Sequence, residues 1–409
     1  MVCKKSTKKW WIIGCIIFLG SFWINVDVIK AQEQTITKQC VDAFSESIQK
    51  REPEQVQIVL SATGDVTLGV TQSTPYENSF HQEYKKNGYT FFFDHVRDVF
   101  SQDDLTLVNL ECSLTTSQNR QEKQWNLKGK PEYVKILTDG SVEAVSMGNN
   151  HNRDYGEEGL EETISLMENA DIVYAYDNIV GIFASKGISI GIVSVNEHYD
   201  GKVVETFIQD GIKELKTKKV NMIVVCCHWG IEATSKLDDY QVELGYKCVD
   251  WGADLVIGNH PHVLQGVNVY KGKVILYSLG NFCFGGNRNP KDKDTAIFQQ
   301  TFTFLDGILQ NDIQAQMIPC KISSVSERNN YQPTIQTGNE YTRIIKKIGK
   351  YSEEFGVIFD EDGFIKIKEN ETAKEKDKSE RDDEADDEME IMEEMKNKQN
   401  EETKVEEIK

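Results

Sequence analysis

The sequence predicts an α/β domain held between a membrane anchor and an acidic tail. Apolar, β-prone runs alternate with segments of helical periodicity from Val56 onward, the pattern of a layered α/β fold. Most of these runs end in a glycine, an amide, a carboxylate or an imidazole, and strand ends are where α/β sheets build sites. Composition also changes sharply at both ends of the chain. The formal net charge of −20 over 409 residues depends heavily on the tail, whereas the first residues are basic. Such acidity argues against nucleic acid as a partner, because binding it requires cationic side chains to neutralise phosphates. There are nine cysteines but no Cys-x-x-Cys spacing, so neither a disulfide framework nor a structural zinc cage is expected.

Residues 1–9 form a basic, cytoplasmic N-terminus with Lys4, Lys5, Lys8 and Lys9. Residues 10–26, Trp10 to Val26, carry no charge and have tryptophans near both ends, as a short spanning helix would. The lysines keep that end inside and send the rest of the chain outside. No small-x-small cleavage site stands near Ala31, which favours an uncleaved anchor in the cell membrane. Residues 27–55 read as a polar stalk, 56–325 as the folded domain, 326–367 as a C-terminal extension and 368–409 as a disordered acidic tail. The tail has too few apolar residues to offset the entropy of ordering it.

Within the domain, Val56 to Ala62 predicts a strand that delivers Asp65 past Gly64. Leu105 to Val108 predicts another, ending in Asn109-Leu110-Glu111, where alternation places Asn109 and Glu111 on one side. Trp125 to Lys130 reads as a polar loop and Pro131 to Leu137 as a short helix opened by proline. The strand Val142 to Met147 runs into Gly148-Asn149-Asn150-His151, with Asp154-Tyr155-Gly156 close behind. Glu157 to Asn169 repeats Leu160, Ile164 and Met167 at helical spacing, with acidic residues in the first turn.

Ile188 to Val195 and Val220 to Cys227 predict buried strands, and the second runs into His228-Trp229-Gly230-Ile231-Glu232. Cys226 and Cys227 lie inside that run and read as small buried hydrophobes. Asp239 to Trp251 predicts a helix returning the chain to Leu255-Val256-Ile257, which ends in Gly258, His260, Pro261 and His262. Imidazoles two residues apart on an extended chain point to opposite faces, so both reach one site only if Gly258 and Pro261 bend the backbone. A further run, Val274 to Ser278, ends in Gly280-Asn281-Phe282. Ala296 to Phe304 and Ile313 to Ile322 lack an intervening helix and predict antiparallel strands.

The strand-end residues are Asp65, Asn109, Glu111, Asn149, Asn150, His151, Asp154, His228, Glu232, His260, His262 and Asn281. Of the seven histidines, His81, His95 and His198 lie outside these motifs. Carboxylate, amide and imidazole without thiolate suit one or two divalent ions such as Mn²⁺, Fe²⁺ or Zn²⁺. Taken singly each motif is also an ordinary turn; their number and order point to a site.

Gly64-Asp65, Asn109-Leu110-Glu111, Asn149-Asn150-His151 with Asp154-Tyr155-Gly156, His228-Trp229-Gly230, Gly258-Asn259-His260-Pro261-His262 and Ser278-Leu279-Gly280-Asn281-Phe282 resemble the CapA (PgsA) family of poly-γ-glutamate capsule biosynthesis proteins. The resemblance covers roughly Val56 to Phe304. It implies a metallophosphatase-like four-layer sandwich, two mixed β-sheets flanked by helices. By the same resemblance Asp65, Glu111, Asn150, His228, His260 and His262 stand where metal ligands stand, and His151 where the leaving-group acid stands. Two departures from the phosphoesterase pattern appear: Val66-Thr67 leaves the first motif without its histidine, and Glu111 replaces the bridging aspartate. The implied function is extracytoplasmic capsule synthesis or export, with poly-γ-glutamate or a related anionic polymer, the membrane and other capsule subunits as partners. A metal-dependent phosphoesterase for an external phosphate ester and a non-catalytic scaffold are the alternatives.

Overall fold

The structure, a computed structural model, describes residues 52–198 and 201–368. The chain enters on β1 (Gln55–Thr67) and β2 (Val70–Thr71), then forms α1 (Phe80–Asn87) and α2 (Arg97–Phe100). Next come β3 (Leu105–Leu110), β4 (Ser113–Leu114), β5 (Leu127–Gly129), α3 (Val134–Asp139), β6 (Ala144–Ser146), α4 (Gly156–Asn169) and β7 (Val173–Ala175). A second series follows: β8 (Gly181–Ser185), β9 (Ile188–Asn196), α5 (Gly201–Thr217), β10 (Met222–His228), α6 (Asp239–Trp251), β11 (Leu255–Asn259), β12 (Val267–Tyr270) and β13 (Lys273–Leu276). The remainder is β14 (Asn281–Phe284), β15 (Asp294–Leu305), β16 (Ile308–Leu309), β17 (Gln314–Lys321), β18 (Thr334–Ile335), α7 (Gly338–Ser352), β19 (Val357–Phe359) and β20 (Ile365–Ile367).

Two sheets carry the architecture. The first has nine strands, in the order β18-β17-β15-β1-β3-β6-β7 with β14 and β16 attached to β1 and β15; the second has six, β12-β13-β11-β10-β9-β8. Strands β1, β3 and β6 are parallel, as are β9, β10, β11 and β13, so both series discharge their carboxyl ends together. β15 and β17 run antiparallel beside β1, as their lack of a connecting helix predicts.

Alternation of side chains along these strands sorts the core into layers. On β10, Met222, Val224 and Cys226 join Ile58, Leu60 and Leu107 of the other sheet in one buried cluster. Their neighbours Ile223, Val225 and Cys227 pack instead with Ile208 and Ile212 of α5 and Leu244 and Cys248 of α6. On β3, Val108 and Leu110 face Phe80 of α1 and Leu160 and Met167 of α4. The two sheets therefore share one apolar seam, and helices cover their outer faces. Strands buried on both faces read as continuous apolar runs, which is why these segments were legible as strands. The six cysteines among the described residues are free and buried, Cys226 and Cys227 in line with their reading as small hydrophobes.

Helix α6 has the bounds its periodicity predicts. Asp238 caps its N-terminus by accepting from the Gln241 backbone, the Gln241 side chain reciprocates, and Gly252 at φ 120° ends it. One expectation is corrected: Trp125 to Lys130 is not wholly loop, because Leu127–Gly129 pairs with both β2 and β4 in a small three-stranded sheet. That strand is too short to show a period. Residues 326–367 are folded onto the domain, with Tyr331 and the α7 residues Ile344, Ile345 and Ile348 buried in its cores. Among the described residues no helix is long and apolar enough to cross a membrane; the expected anchor at 10–26 and the tail beyond 368 lie outside them.

Candidate metal centre at the strand ends

Each strand end contributes where its register delivers it. Asp65 and Asn109 are cross-strand partners on β1 and β3, and the Asn109 amide donates to Asp65 Oδ1 at 2.8 Å. Gly64 brings Asp65 there: a Cβ on Gly64 would stand 1.8 Å from the Gly280 carbonyl, which instead accepts from the Asp65 backbone at 2.8 Å. Only glycine permits that approach. Glu111 follows β3 and is fully buried.

The Asn149-Asn150-His151 turn after β6 is fastened to the same place. Asn149 donates to Asn109 Oδ1 at 3.1 Å and to the Leu110 carbonyl at 2.9 Å, while its own Oδ1 accepts from the His151 backbone at 3.0 Å. Asn150 Oδ1 lies 3.0 Å from His228 Nε2, and His151 Nδ1 lies 2.7 Å from Asp154 Oδ2. Asp154 thus orients the His151 ring and leaves Nε2 to face Glu111, 4.0 Å from its Oε1.

The second sheet supplies the imidazoles. His228 Nε2 and His260 Nδ1 are 3.0 Å apart, and His262 Nδ1 lies 2.9 Å from Asp65 Oδ2. His260 and His262 do reach one site, their ring centroids 5.8 Å apart, but the bend is made differently from the expectation. The two histidines themselves take positive φ, 98° and 58°. Gly258 serves close approach instead: a Cβ there would meet the Tyr277 carbonyl at 2.1 Å and Trp229 Nε1 at 2.4 Å. Asn281 donates to the His262 carbonyl at 3.1 Å and so holds this turn from β14.

Three sets of side chains bring ligand atoms within 4.8 Å of one another: Asp65, Glu111 and His262; Glu111, His228 and His260; Glu232, His260 and His262. Glu111 belongs to two of them. Both of its carboxylate oxygens are buried without a hydrogen-bond partner. A buried carboxylate in that condition is costly unless a cation or proton meets it, so the donor set fits a divalent ion.

Within the cluster the residues divide: burial keeps His228 and His260 ready to ligate, whereas Glu111 and His262 hold their protons until a cation displaces them. Burial raises the Glu111 carboxyl well above its ordinary range, with His262 opposing and Asp65, Glu232 and Asp154 reinforcing the rise. Burial, then the neighbouring imidazoles, lowers His228 strongly and takes His260 down to about 3, which keeps both neutral and able to donate a lone pair. Burial would also lower His262, but Glu111 and Asp65 outweigh it and raise it to about 9. Burial lowers His151 against the pull of Asp154.

All twelve strand-end residues converge here, and two residues outside the motifs join them. His198, expected to lie apart, places its Nε2 3.0 Å from His260 Nε2. It stands just past β9, so the strand-end position was its signal, but no glycine or histidine companion marked it. Lys123 donates to the Asn150 carbonyl at 2.6 Å and pairs with Asp154. Nothing in its polar surroundings distinguished it in sequence.

Comparison with known proteins decides the family. The model described as bacterial capsule synthesis protein PGA_cap matches residues 59–286, the stretch that contains every one of these groups. The chain belongs to that capsule synthesis family. Among its relatives are the capsule biosynthesis protein CapA of Bacillus anthracis, 28% identical over 272 residues (60% of this chain, 64% of that protein), and the PGA biosynthesis protein CapA of Bacillus subtilis (strain 168), 30% identical over 273 residues (59% and 67%). A probable polyglutamine synthesis accessory protein of Mycobacterium tuberculosis is 25% identical over 290 residues, 62% of this chain and 74% of that one. The match thus spans about two thirds of the length of the two Bacillus relatives. A crystal structure of a hypothetical protein from Thermus thermophilus superposes with TM-score 0.40 at 17% identity, covering 64% of this chain and 99% of that one, too slight a likeness to argue from.

Proposed function

We propose that this PGA_cap family protein acts in the synthesis or export of a poly-γ-glutamate capsule, from the outer side of the cell membrane, through a divalent-metal site at the strand ends. The observation that carries the reading is Glu111, whose two oxygens, buried without a hydrogen bond, sit between an Asp65–His262 side and a His228–His260 side. Asp65, Glu111, Asn150, His228, His260 and His262 would hold one or two ions of Mn²⁺, Fe²⁺ or Zn²⁺. A bound ion would neutralise a substrate carboxylate and polarise a carbonyl or phosphoryl oxygen. The paired sheets flanked by helices suit a metallophosphatase-like sandwich, residues 10–26 would anchor it, and other capsule subunits would be its partners.

The chain's own groups support a hydrolytic or transfer step beside that site. Asp154 accepts from His151 Nδ1, so Nε2 faces the reacting region and would donate a proton from the imidazolium form, which Asp154 supports against burial. The same pair favours the second reading, a phosphoesterase acting on an external phosphate ester. Against that reading, the position of the missing first-motif histidine is taken by Val66, which is buried, and Thr67, whose hydroxyl donates to the Glu111 carbonyl at 3.1 Å.

Metal content of the purified full-length chain tests the proposal, together with capsule polymer made by a strain lacking its own copy. The native protein should carry bound metal and restore polymer. Glu111→Gln should lose metal by more than the 10–100-fold typical of an outer partner and fail to restore polymer. A metal-free native protein, or a fully metallated Glu111→Gln variant, would refute the metal site.

A further inference from the structure

Next to the strand-end cluster lies a cavity of about 600 Å³ bordered by His151, Glu232, His262, Trp125 and Arg288. A second cavity of about 320 Å³ adjoins it, and Thr71 lines both. The small sheet of β2, β5 and β4 is the divide. Consecutive residues on β5 point to opposite sides, so Leu127 lines the larger cavity and Lys128 the smaller one.

The smaller cavity is cationic in an otherwise acidic protein. Arg120 and Lys128 line it with Gln118, Tyr155 and His81, whose ring is held neutral by burial and the nearby Lys130 and Lys128, and no carboxylate does. Some other cations are matched by acids, as Lys123 is by Asp154 and Arg328 by Glu83, whereas Arg288 on the larger cavity donates to the Glu77 carbonyl. Among the described residues the Arg120 guanidinium donates to Gln72 Oε1 alone, at 2.8 Å, and Lys128 donates to the Ser117 carbonyl at 2.6 Å with its ammonium 4.6 Å from the centre of the Tyr155 ring. Neither forms an ion pair among the described residues. The acid that bears on Lys128 is Glu162, and it is engaged by the Thr115 hydroxyl at 2.6 Å and the Thr116 backbone at 2.9 Å. His81 gives Nδ1 to the Tyr133 hydroxyl at 2.7 Å, so Nε2 remains for the cavity.

We propose that this cavity is an anion subsite: Arg120 and Lys128 bind a carboxylate of an extended polyanionic chain that crosses Thr71 and continues into the cavity beside His151 and His262. Guanidinium and ammonium groups without a carboxylate partner, facing one concavity, are the donors such a group requires. The identity of the chain as a γ-linked polyglutamate rests on the proposed function; the subsite itself rests on the cationic lining.

The test is calorimetric titration of the metal-loaded full-length protein with a γ-linked glutamate oligomer long enough to span both cavities, and with γ-glutamylglutamate, which is not. Arg120→Gln and the double variant R120Q/K128Q are compared with the native chain. Arg120 is exposed, so the single variant keeps the fold if Lys128 proves structural. The double variant should bind the long oligomer at least about tenfold more weakly, as loss of charged hydrogen bonds implies, with the single variant intermediate and the dipeptide unaffected. Equal affinity of native and double variant for the oligomer overturns the subsite and leaves the proposed function standing. If the native chain ignores γ-linked oligomers but binds an α-linked polyglutamate or a polyphosphate, with the same loss in the double variant, the subsite holds and the polymer assignment falls. Failure of the native chain to bind any of these polyanions overturns both.

Discussion

His260 and His262 hold positive φ without being glycine, a conformation that costs about 1–3 kcal/mol at each residue and persists only where surrounding contacts over-determine it. Here the contacts are visible: Asn281 grips the His262 carbonyl, and His228 and His198 lie on either side of the His260 ring. His198 meets Nε2 of His260 and so leaves Nδ1, the nitrogen nearest His228, for the cluster. Outer partners of this kind set the tautomer and orientation of a ligand. His198→Ala should therefore lower metal affinity by about 10–100-fold without abolishing binding, with partial recovery in His198→Gln. His151→Ala, measured by the same metal titration, should leave affinity near native if its role is the proposed proton donation. Equal, complete loss in both variants would mean that the turn collapses when either ring is removed.

At the scale of elements, helix α7 shows how residues past the site are tied into the domain. Arg343 donates to Asp294 at 2.8 and 2.6 Å, and Lys347 adds a third contact at 2.8 Å, clamping the helix to the start of β15. Burial alone would raise the Asp294 carboxyl, but the two cations outweigh it and hold it below its ordinary value of 3.8. Because the folded state binds this proton less readily than the unfolded chain, the contribution is complete above pH 3.8 and disappears as pH falls further. Asp294→Asn should cost about 2 kcal/mol in denaturant unfolding at neutral pH, and the gap from native should close below pH 3.8. A gap that is unchanged in acid would show that the loss comes from packing rather than charge.

For the whole molecule the charge pattern at the N-terminus predicts sidedness. Four lysines before Trp10 and the uncharged segment to Val26 would place everything after the stalk outside the cell. Protease added to intact cells should degrade the domain from residue 56 onward, as followed with an antibody to it. Survival of the domain until the cells are lysed would reverse the orientation.

The sequence alone determined the longer central strands, the α6 helix and the set of strand-end groups, because each rests on local information. Val220 to Cys227 is apolar at nearly every position since both of its faces are buried, and Asp238 with Gln241 writes the start of α6 into adjacent residues. The likeness to the capsule synthesis family was legible for the same reason, the motifs being short and ordered along the chain. Only the tertiary structure decided which of those groups meet. Glu111 takes its place between the Asp65–His262 side and the His228–His260 pair because β3 and β10 belong to different sheets that share one apolar seam, and no period along the chain encodes that contact. His198 and Lys123 were missed on the same account. Each reaches the site from a segment with no motif of its own, brought there by a register and a packing that the rest of the chain imposes.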